Sequence, residues 1–560
     1  MAKIGKNVLE NLTQAMYDDS RIVYREYIQN ASDQIDIAQK NNSFPDDDLQ
    51  IIIELDRKHR NIYIEDNANG IPANEIERRL ADVADSDKIQ GESKGFRGIG
   101  RLGGIGYCKE LRFVTSYHGE SFQTTMIWNA TELRSIIRDT NNHETAEQVL
   151  DRIISYEVTP CDKDKHFFRV EMLGINDEND RLLDKEDVSQ YISEVAPVDY
   201  AEGFYLKSEI DKFVKAHSDE LPQINTYKIF IRYAGDDLIS IKKNYTNNIY
   251  KVNNGHKTKV DTLNGIHADI IRNDDGQPMA WIWYAITSFK AQINEVGNPM
   301  RGLRLRQFNI LIGNRETLSA SPKFFKERRG NGYFIGEVHT IANKNLRPNA
   351  RRDYFNESNE VKDLEYALRK YIADNLDWLY KDGSTLNSGY DKIEKYRELQ
   401  EKFFEKKKKG FSSSTEEKKL EKELAMAKEK VTKARKDIGR IESKAVDKGE
   451  TSALSRVVKT VTDERKIDLD KIKEEIEKGG PIIEEGDVKY DKNKPKIQHK
   501  PLDKTKKKPK LLVDELSNLN KSERKLVSRI YDVIHKNMVF DEADSLIQRI
   551  QEELKNNNAS

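Results

Sequence analysis

Apolar and polar positions alternate along this chain with periods that shift from helix to strand and back. Val8, Leu12, Ala15 and Met16 recur at helical spacing and predict a first helix. Residues 24–36, YREYIQNASDQID, predict a second. Ile28, Ala31 and Ile35, with Ile22 just ahead, give it apolar groups, while Glu26, Asn30 and Asp33 fall at i, i+4 and i+7 and project from one stripe. After the loop NNSFPDDD the period drops to that of strands. LQIIIEL (49–55) and NIYIED (61–66) are separated by DRKHR and suit a hairpin. ELRFVTSYHG, ESFQTTMIWN and HFFRVEML (166–173) read as three more strands. This order predicts a layered α/β domain over residues 1–190, with helices on one face of a mixed sheet.

A second α/β domain is expected over 195–382. YKIFIRY (227–233) and AWIWYAIT (280–287) are strand-like. In RGLRLRQFNILIGN (301–314), Leu303 and Leu305, then Ile310 and Ile312, alternate with polar residues, predicting a strand pair with one face on a core. LEYALRKYIADNLDWLYKD (364–382) closes this domain as an amphipathic helix. Past residue 385, Leu420, Leu424, Ala427, Val431, Ala434, Ile438, Ile441 and Ala445 repeat at spacings of four and three, an a/d seam amid Lys and Glu. Residues 385–477 therefore predict a coiled coil, between subunits or folded back within one chain, with the preceding helix YDKIEKYRELQEKFFEKKKKG as its antiparallel partner. Ser414 and Glu417 supply a capping box at its start. Residues 478–510 read as a lysine-rich linker, and 511–560 as short amphipathic helices forming a docking or dimerisation unit.

Composition sharpens this. The chain has 560 residues, enough for several domains, and 34% are charged against 37% hydrophobic. The charge excess fits solvated helices in the second half. The net charge of −1 gives no global attraction to nucleic acid or membrane, so only local patches can supply it. One such patch runs from Lys492 to Lys510, with nine lysines and a single acid, Asp503. It reads as a solvated tether or as a contact to a DNA backbone; without interleaved aromatics it offers no base stacking. Cys108 and Cys161 are too far apart in sequence to suggest a metal or disulfide framework, which points to a reducing, cytoplasmic setting. No apolar run reaches the roughly 20 residues of a membrane helix.

Three stretches carry candidate chemistry. The stripe of Glu26, Asn30 and Asp33 is either a solvated polar face or a set that orients a water and holds a metal ion. IEDNANGIP (64–72) ends a strand in a turn. There Asp66 offers an acceptor to an exocyclic amine, and Asn69 and Gly70 allow backbone to come close. GFRGIGRLGGIGYC (95–108) holds Gly100, Gly103, Gly104 and Gly106, preceded by Lys94. Its bare amides suit phosphate oxygens, although no P-loop lysine motif is present.

Taken together, the three stretches resemble the ATP-binding (Bergerat) fold of the GHKL superfamily, shared by gyrase, the heat-shock chaperones, histidine kinases and MutL. REYIQNASDQID is similar to the first motif of the chaperones. The resemblance implies ATP and Mg2+ as cofactors, Glu26 as general base, Asn30 as Mg2+ ligand, Asp66 as the adenine-recognising carboxylate and the glycine segment as a lid. NARRD (349–353) is similar to the catalytic loop of the chaperones' middle domain, which implies Arg352 as a finger on the γ-phosphate. Two departures stand out. Ala68 occupies a position where glycine is usual, and the Gly-Thr pair of the fourth motif is missing around HFFRVEML. With the ATP fold first and an α/β domain after it, the layout resembles the clamp members, the heat-shock chaperones, MutL and MORC proteins. That implies a Mg2+-dependent ATPase clamp that forms a homodimer through its N-terminal domain and coiled coil and acts on a protein client or nucleic acid. An ATP-gated scaffold with little turnover is the alternative. A protein kinase is disfavoured, since no phosphoacceptor helix precedes the fold.

Overall fold

The computed structural model describes residues 4–13, 19–45, 48–81, 100–319, 324–341, 345–465 and 510–556. The chain divides into two compact units, one of Met1–Thr287 with Ala291–Tyr380, the other of Ser288–Lys290 with Lys381–Ser560.

The first unit contains two larger sheets and a two-stranded hairpin. After helices α1 (Asn7–Thr13) and α2 (Ile22–Lys40) come strands β1 (Gln50–Asp56), β2 (Asn61–Asp66), β3 (Glu110–Ser116) and β4 (Phe122–Trp128). Helices α3 (Ala130–Arg138) and α4 (Ala146–Ile153) follow, then β5 (Ile154–Pro160), β6 (Phe167–Leu173), α5 (Lys185–Val195), α6 (Lys207–Ala216), β7 (Lys228–Tyr233) and β8 (Ile239–Ser240). These strands form an eight-stranded sheet in the order β5-β4-β3-β6-β2-β1-β7-β8. Neighbours are antiparallel except β1 and β7, which run parallel. The sheet thus continues past residue 195. Period-2 alternation explains the burial: Ile51, Ile53 and Leu55 of β1 face inward, as do Ile62 and Ile64 of β2. Each such side chain contributes about 1.5–3 kcal/mol by leaving water. α2 to α5 share one apolar core with this sheet. The β1–β2 hairpin expected from the pattern is present, its turn closed by Arg60 at φ +59°.

A second sheet takes the order β11-β12-β15-β13-β14. Ahead of it β9 (Asn248–Asn253) and β10 (His256–Thr262) pair across Asn254-Gly255, both at positive φ as such a tight hairpin turn requires. The sheet strands are β11 (Ile266–Arg272), β12 (Pro278–Ala285), β13 (Gly302–Gln307), β14 (Ile310–Leu311) and β15 (Ile335–Thr340). Here the one-sided burial expected for 301–314 is corrected: every residue of β13 and β15 is buried. Arg304 and Arg306 are fully covered because distant carboxylates meet them. Arg304 Nε lies 3.1 Å from Glu194, and Arg306 Nε 2.5 Å from Glu337. Lys243, Tyr200, Tyr245 and His339 also converge on Glu337. Burial opposes its ionisation, but Arg306 and Lys243 outweigh that and hold the carboxyl well below the usual range. α7 (Asn359–Tyr371) ends this region, capped by Ser358.

In the second unit α8 (Asp377–Lys409) and α9 (Ser414–Lys448) run antiparallel: Gly389 of α8 faces Ile438 of α9, and Lys444 pairs with Asp382. The seam is buried at Leu420, Val431, Ala434, Ile438, Ile441 and Ala445, whereas Leu424 and Ala427 are half-buried. The helix cap falls one residue earlier than expected. Ser413, not Ser414, accepts from the Glu416 amide, because Glu416 turns inward to accept from Ser412. α10 (Ala453–Arg465) packs on α9, and its Arg465 pairs with Asp391 and Glu394 of α8. α11 (Lys521–Asn537) and α12 (Phe540–Asn556) form a small core of Val513, Leu516, Val527, Tyr531 and Ile547. Among the described residues no helix is long and apolar enough to cross a membrane.

Candidate functional site

α2 is buried on most sides up to its last turn, including the charged residues Arg25, Glu26 and Asp33. Tyr24 donates to Leu182 O at 2.5 Å and anchors one side. On another side Tyr27 donates to Arg101 O at 3.0 Å and accepts from Gly104 N at 2.9 Å. Those two bonds pin a 3-10 segment, Gly100–Gly106, against the helix. The glycines matter there for space. A Cβ on Gly104 would stand 2.4 Å from the Tyr27 hydroxyl, and one on Gly100 only 2.5 Å from Glu26 Oε2. Gly103 is buried and Gly106 half-buried in the same segment, and Asn176 donates to Gly106 O. Lys94 and the first part of the glycine stretch lie outside the described residues.

Of the helical stripe, Glu26 and Asp33 are buried and Asn30 is half-buried. Glu26 is the focus of the local charge. Its Oε1 lies 3.3 Å from Arg352 Nε and 3.7 Å from Arg25 Nε. Arg352 reaches it from a loop closed by the Pro348–Phe355 bridge and by Asn349 N donating to Tyr354 O. The loop is held on both sides. Gly313 N donates to Arg352 O at 2.7 Å, and Arg25 Nη2 donates to Arg351 O at 2.9 Å. Arg352 sits at φ +54°, a left-handed backbone that costs an arginine about 1 kcal/mol or more. Arg352 is 9% exposed, while its neighbour Arg351 is exposed.

The second half of the site is the turn after β2. Alternation puts Asp66 on the inward face with Ile62 and Ile64, and it is 2% exposed. One hydrogen bond, from Ala68 N to Oδ1 at 3.1 Å, partly compensates. Burial dominates and pushes the carboxyl up to about 8. Ala68 has room for its methyl, which is fully buried in the core, so the usual glycine is not needed at this point. Gly70 is the position that tolerates nothing larger: φ is +69°, and a Cβ would lie 2.1 Å from Ser116 O. Asn69 is half-buried between them. Asn67 is structural, its side chain accepting from Gln50 N.

A residue missed by sequence reasoning is Thr115 of β3. Its hydroxyl accepts from Ile71 N at 2.8 Å and donates to Phe167 O at 3.0 Å, which ties the Asp66–Gly70 turn to β6. Asp66 and Thr115 both stand opposite Phe168 in register, on either side of β6, so the three share one face. No local signal marks Thr115; it could be found only by pairing the strands. HFFRVEML, around which the Gly-Thr pair is missing, opens with His166 and Phe167. His166 donates to Ala68 O at 2.8 Å and stacks on Phe44 at 3.6 Å.

Arg25 Nε, Glu26 Oε1 and Gln29 Oε1 are buried without a hydrogen-bond partner among the described residues. Arg25 and Glu26 meet only as an ion pair, and Gly100 lets Glu26 come close, an arrangement whose spare hydrogen-bonding capacity suits a polar, phosphate-bearing ligand with its water. A hard divalent cation there would take oxygen ligands, and Glu26, Asn30 and Asp33 are the residues of the stripe that carry side-chain oxygens.

The family model described as histidine kinase-, DNA gyrase B-, and HSP90-like ATPase matches residues 25–166. Among curated proteins, the chaperone protein HtpG of Clostridium acetobutylicum is 24% identical over 168 residues, 29% of this chain and 25% of that protein. HtpG of Shouchella clausii is 31% identical over 91 residues, 15% of each chain. HtpG of Streptomyces coelicolor is 26% identical over 137 residues, 21% of this chain and 22% of that one. The chain thus spans a quarter or less of the length of these relatives.

Proposed function

Since residues 25–166 belong to the GHKL ATPase superfamily and are related to the heat-shock chaperones, we propose that the chain is a Mg2+-dependent ATPase that works as a conformational clamp. The observation that carries this reading is the strained Arg352, brought from a loop far along the chain onto the Glu26 carboxylate.

Asp66 recognises the base. Its buried carboxyl offers an acceptor oxygen to the adenine amine, where guanine carries a carbonyl oxygen and has no proton to give. Asn69 and Gly70 let the turn lie against the base, and Gly100 to Gly106 supply amides to the phosphates. Asn30 would hold Mg2+, with Asp33 beside it on the same helical stripe, and the ion would neutralise charge on the triphosphate. Glu26 then takes a proton from a water aligned with the γ-phosphate. Its ion pair with Arg352 must first part, and the γ-phosphate draws the guanidinium away because a fork of donors suits phosphate oxygens better than one carboxylate edge. Arg352 afterwards spreads its charge over the leaving phosphate. A base paired to two arginines at rest favours slow turnover. Closure, homodimerisation through the N-terminal domain and coiled coil, and action on a protein client belong to the same proposal. DNA contact through Lys492–Lys510 is its alternative partner mode; that run lies outside the described residues except Lys510, which pairs with Glu515.

The test combines calorimetric ATP binding with phosphate release. Glu26→Ala should retain binding and lose hydrolysis by about 10²-fold or more, and Asp66→Ala should lose binding. Normal hydrolysis by Glu26→Ala would sink the reading.

A further inference from the structure

α11 carries apolar residues on two faces. Val527 and Tyr531, with Ile534 half-buried, face the small C-terminal core. Leu526, Ile530 and Val533 lie at i, i+4 and i+7 on the adjoining face, about 100° round the helix, and are 59%, 44% and 58% exposed. Met538 and Val539 extend the stripe past the helix end. A helix with one core needs one apolar stripe, so the second is in excess of what folding uses. Lys525, Arg529 and Lys536 are exposed along one flank and have no ion pair among the described residues, while Asp532 beside them is half-buried and accepts from Ser413 Oγ. On the opposite flank Glu523 is engaged in the N-terminal cap with Asn520.

We propose that this outer face of α11 docks an amphipathic helix of a partner protein whose apolar stripe is bordered by Asp and Glu. Three anchors at i, i+4 and i+7 are the spacing by which one helix seats on another. The cationic flank selects the sign of the partner's border and speeds its approach. The same flank argues against a second copy: an antiparallel pair about a two-fold axis places each flank against its own equivalent, so the three cations would face their duplicates. The apolar centre argues against nucleic acid, which would want the cations central. This inference does not depend on the ATP site.

The experiment uses the full chain and two fluorescein-labelled designed helical peptides with identical Leu and Ile anchors, one bordered by Glu and one by Lys. Anisotropy should give a Kd on the order of 10 μM for the Glu peptide and at least tenfold weaker binding for the Lys peptide. Arg529→Glu with Lys536→Glu should reverse that preference. Leu526→Asn with Val533→Asn should abolish binding of both while circular dichroism stays unchanged, since both side chains already face water. Equal binding of the two peptides, or none, overturns the proposal. So does a dimer, seen by light scattering, that Leu526→Asn with Val533→Asn dissociates, or tighter association with phosphatidylserine vesicles than with the Glu peptide.

Discussion

Arg352 combines two properties that a residue rarely has together: a left-handed backbone and a buried charge on a carboxylate. Comparing two substitutions separates them. Arg352→Ala and Arg352→Gly both remove the guanidinium and should both lower hydrolysis by roughly 10²–10³-fold. Only glycine relaxes the φ of +54°, so the Gly variant should be the more stable of the pair by about 1 kcal/mol in urea unfolding. Equal stabilities would mean the strain is not stored there. Asp66 makes a pH prediction. Its carboxyl titrates at about 8 in the folded chain, against 3.8 for an aspartate open to water. Between those values the folded state holds a proton that the unfolded state has released. The unliganded protein therefore loses stability as pH rises from about 4 to about 8, by up to ~1.4 kcal/mol per unit. Asp66→Asn removes the titration, so calorimetric midpoints from pH 5 to 8 should fall in the parent and stay flatter in the variant.

Elements translate these residues into a site, and they were unequally legible. β1 and β2 could be read from periodicity because they pair across a short turn and their burial follows alternation, and α2 from its helical spacing of apolar residues. Arg304 and Arg306 misled because β13 looks amphipathic until Glu194 and Glu337, remote in sequence, are brought against it. Thr115 was invisible for the same reason: its role is defined by register across β6. Gly104 was legible as a glycine, but the purpose was not. The segment needs it to leave room for the Tyr27 hydroxyl, to which its N–H donates, rather than to adopt an unusual φ, since its φ is not positive. A double-mutant cycle checks this. Tyr27→Phe should cost about 2 kcal/mol by removing two hydrogen bonds. Gly104→Ala should cost more in the parent than in the Tyr27→Phe background, where the clashing oxygen is gone, a coupling of about 1 kcal/mol. Simple additivity would refute the contact as the reason for glycine.

At the scale of the whole molecule, each unit is closed by a charge cluster that no local pattern announces. In the second unit Lys406 of α8 pairs with Glu416 of α9 and with Asp544 of α12, at 2.7 Å for the latter. His535 of α11 stands 3.7 Å from both acids and 3.0 Å from Ser412 Oγ. Glu416, His535 and Asp544 have the geometry to hold a metal ion, but the Lys406 ammonium already supplies the cation between the two carboxylates. Lys406→Met leaves Glu416, whose side chain is 1% exposed, without that partner and should cost about 2–4 kcal/mol at pH 8. In the parent, burial first and Lys406 among the nearby cations depress the His535 pKa. Without the lysine one depressing charge is gone while Glu416 and Asp544 remain, so the pKa rises relative to the parent's. A histidine held below its unfolded pKa of about 6.5 costs stability as pH falls through that value, and it costs less in the variant. The deficit of Lys406→Met should therefore shrink between pH 8 and pH 5.5, as an imidazolium replaces the ammonium. Hydrogen exchange should locate the loss in α11 and α12, with the eight-stranded sheet unaffected. A deficit that is constant with pH would show that His535 does not enter the cluster as a cation.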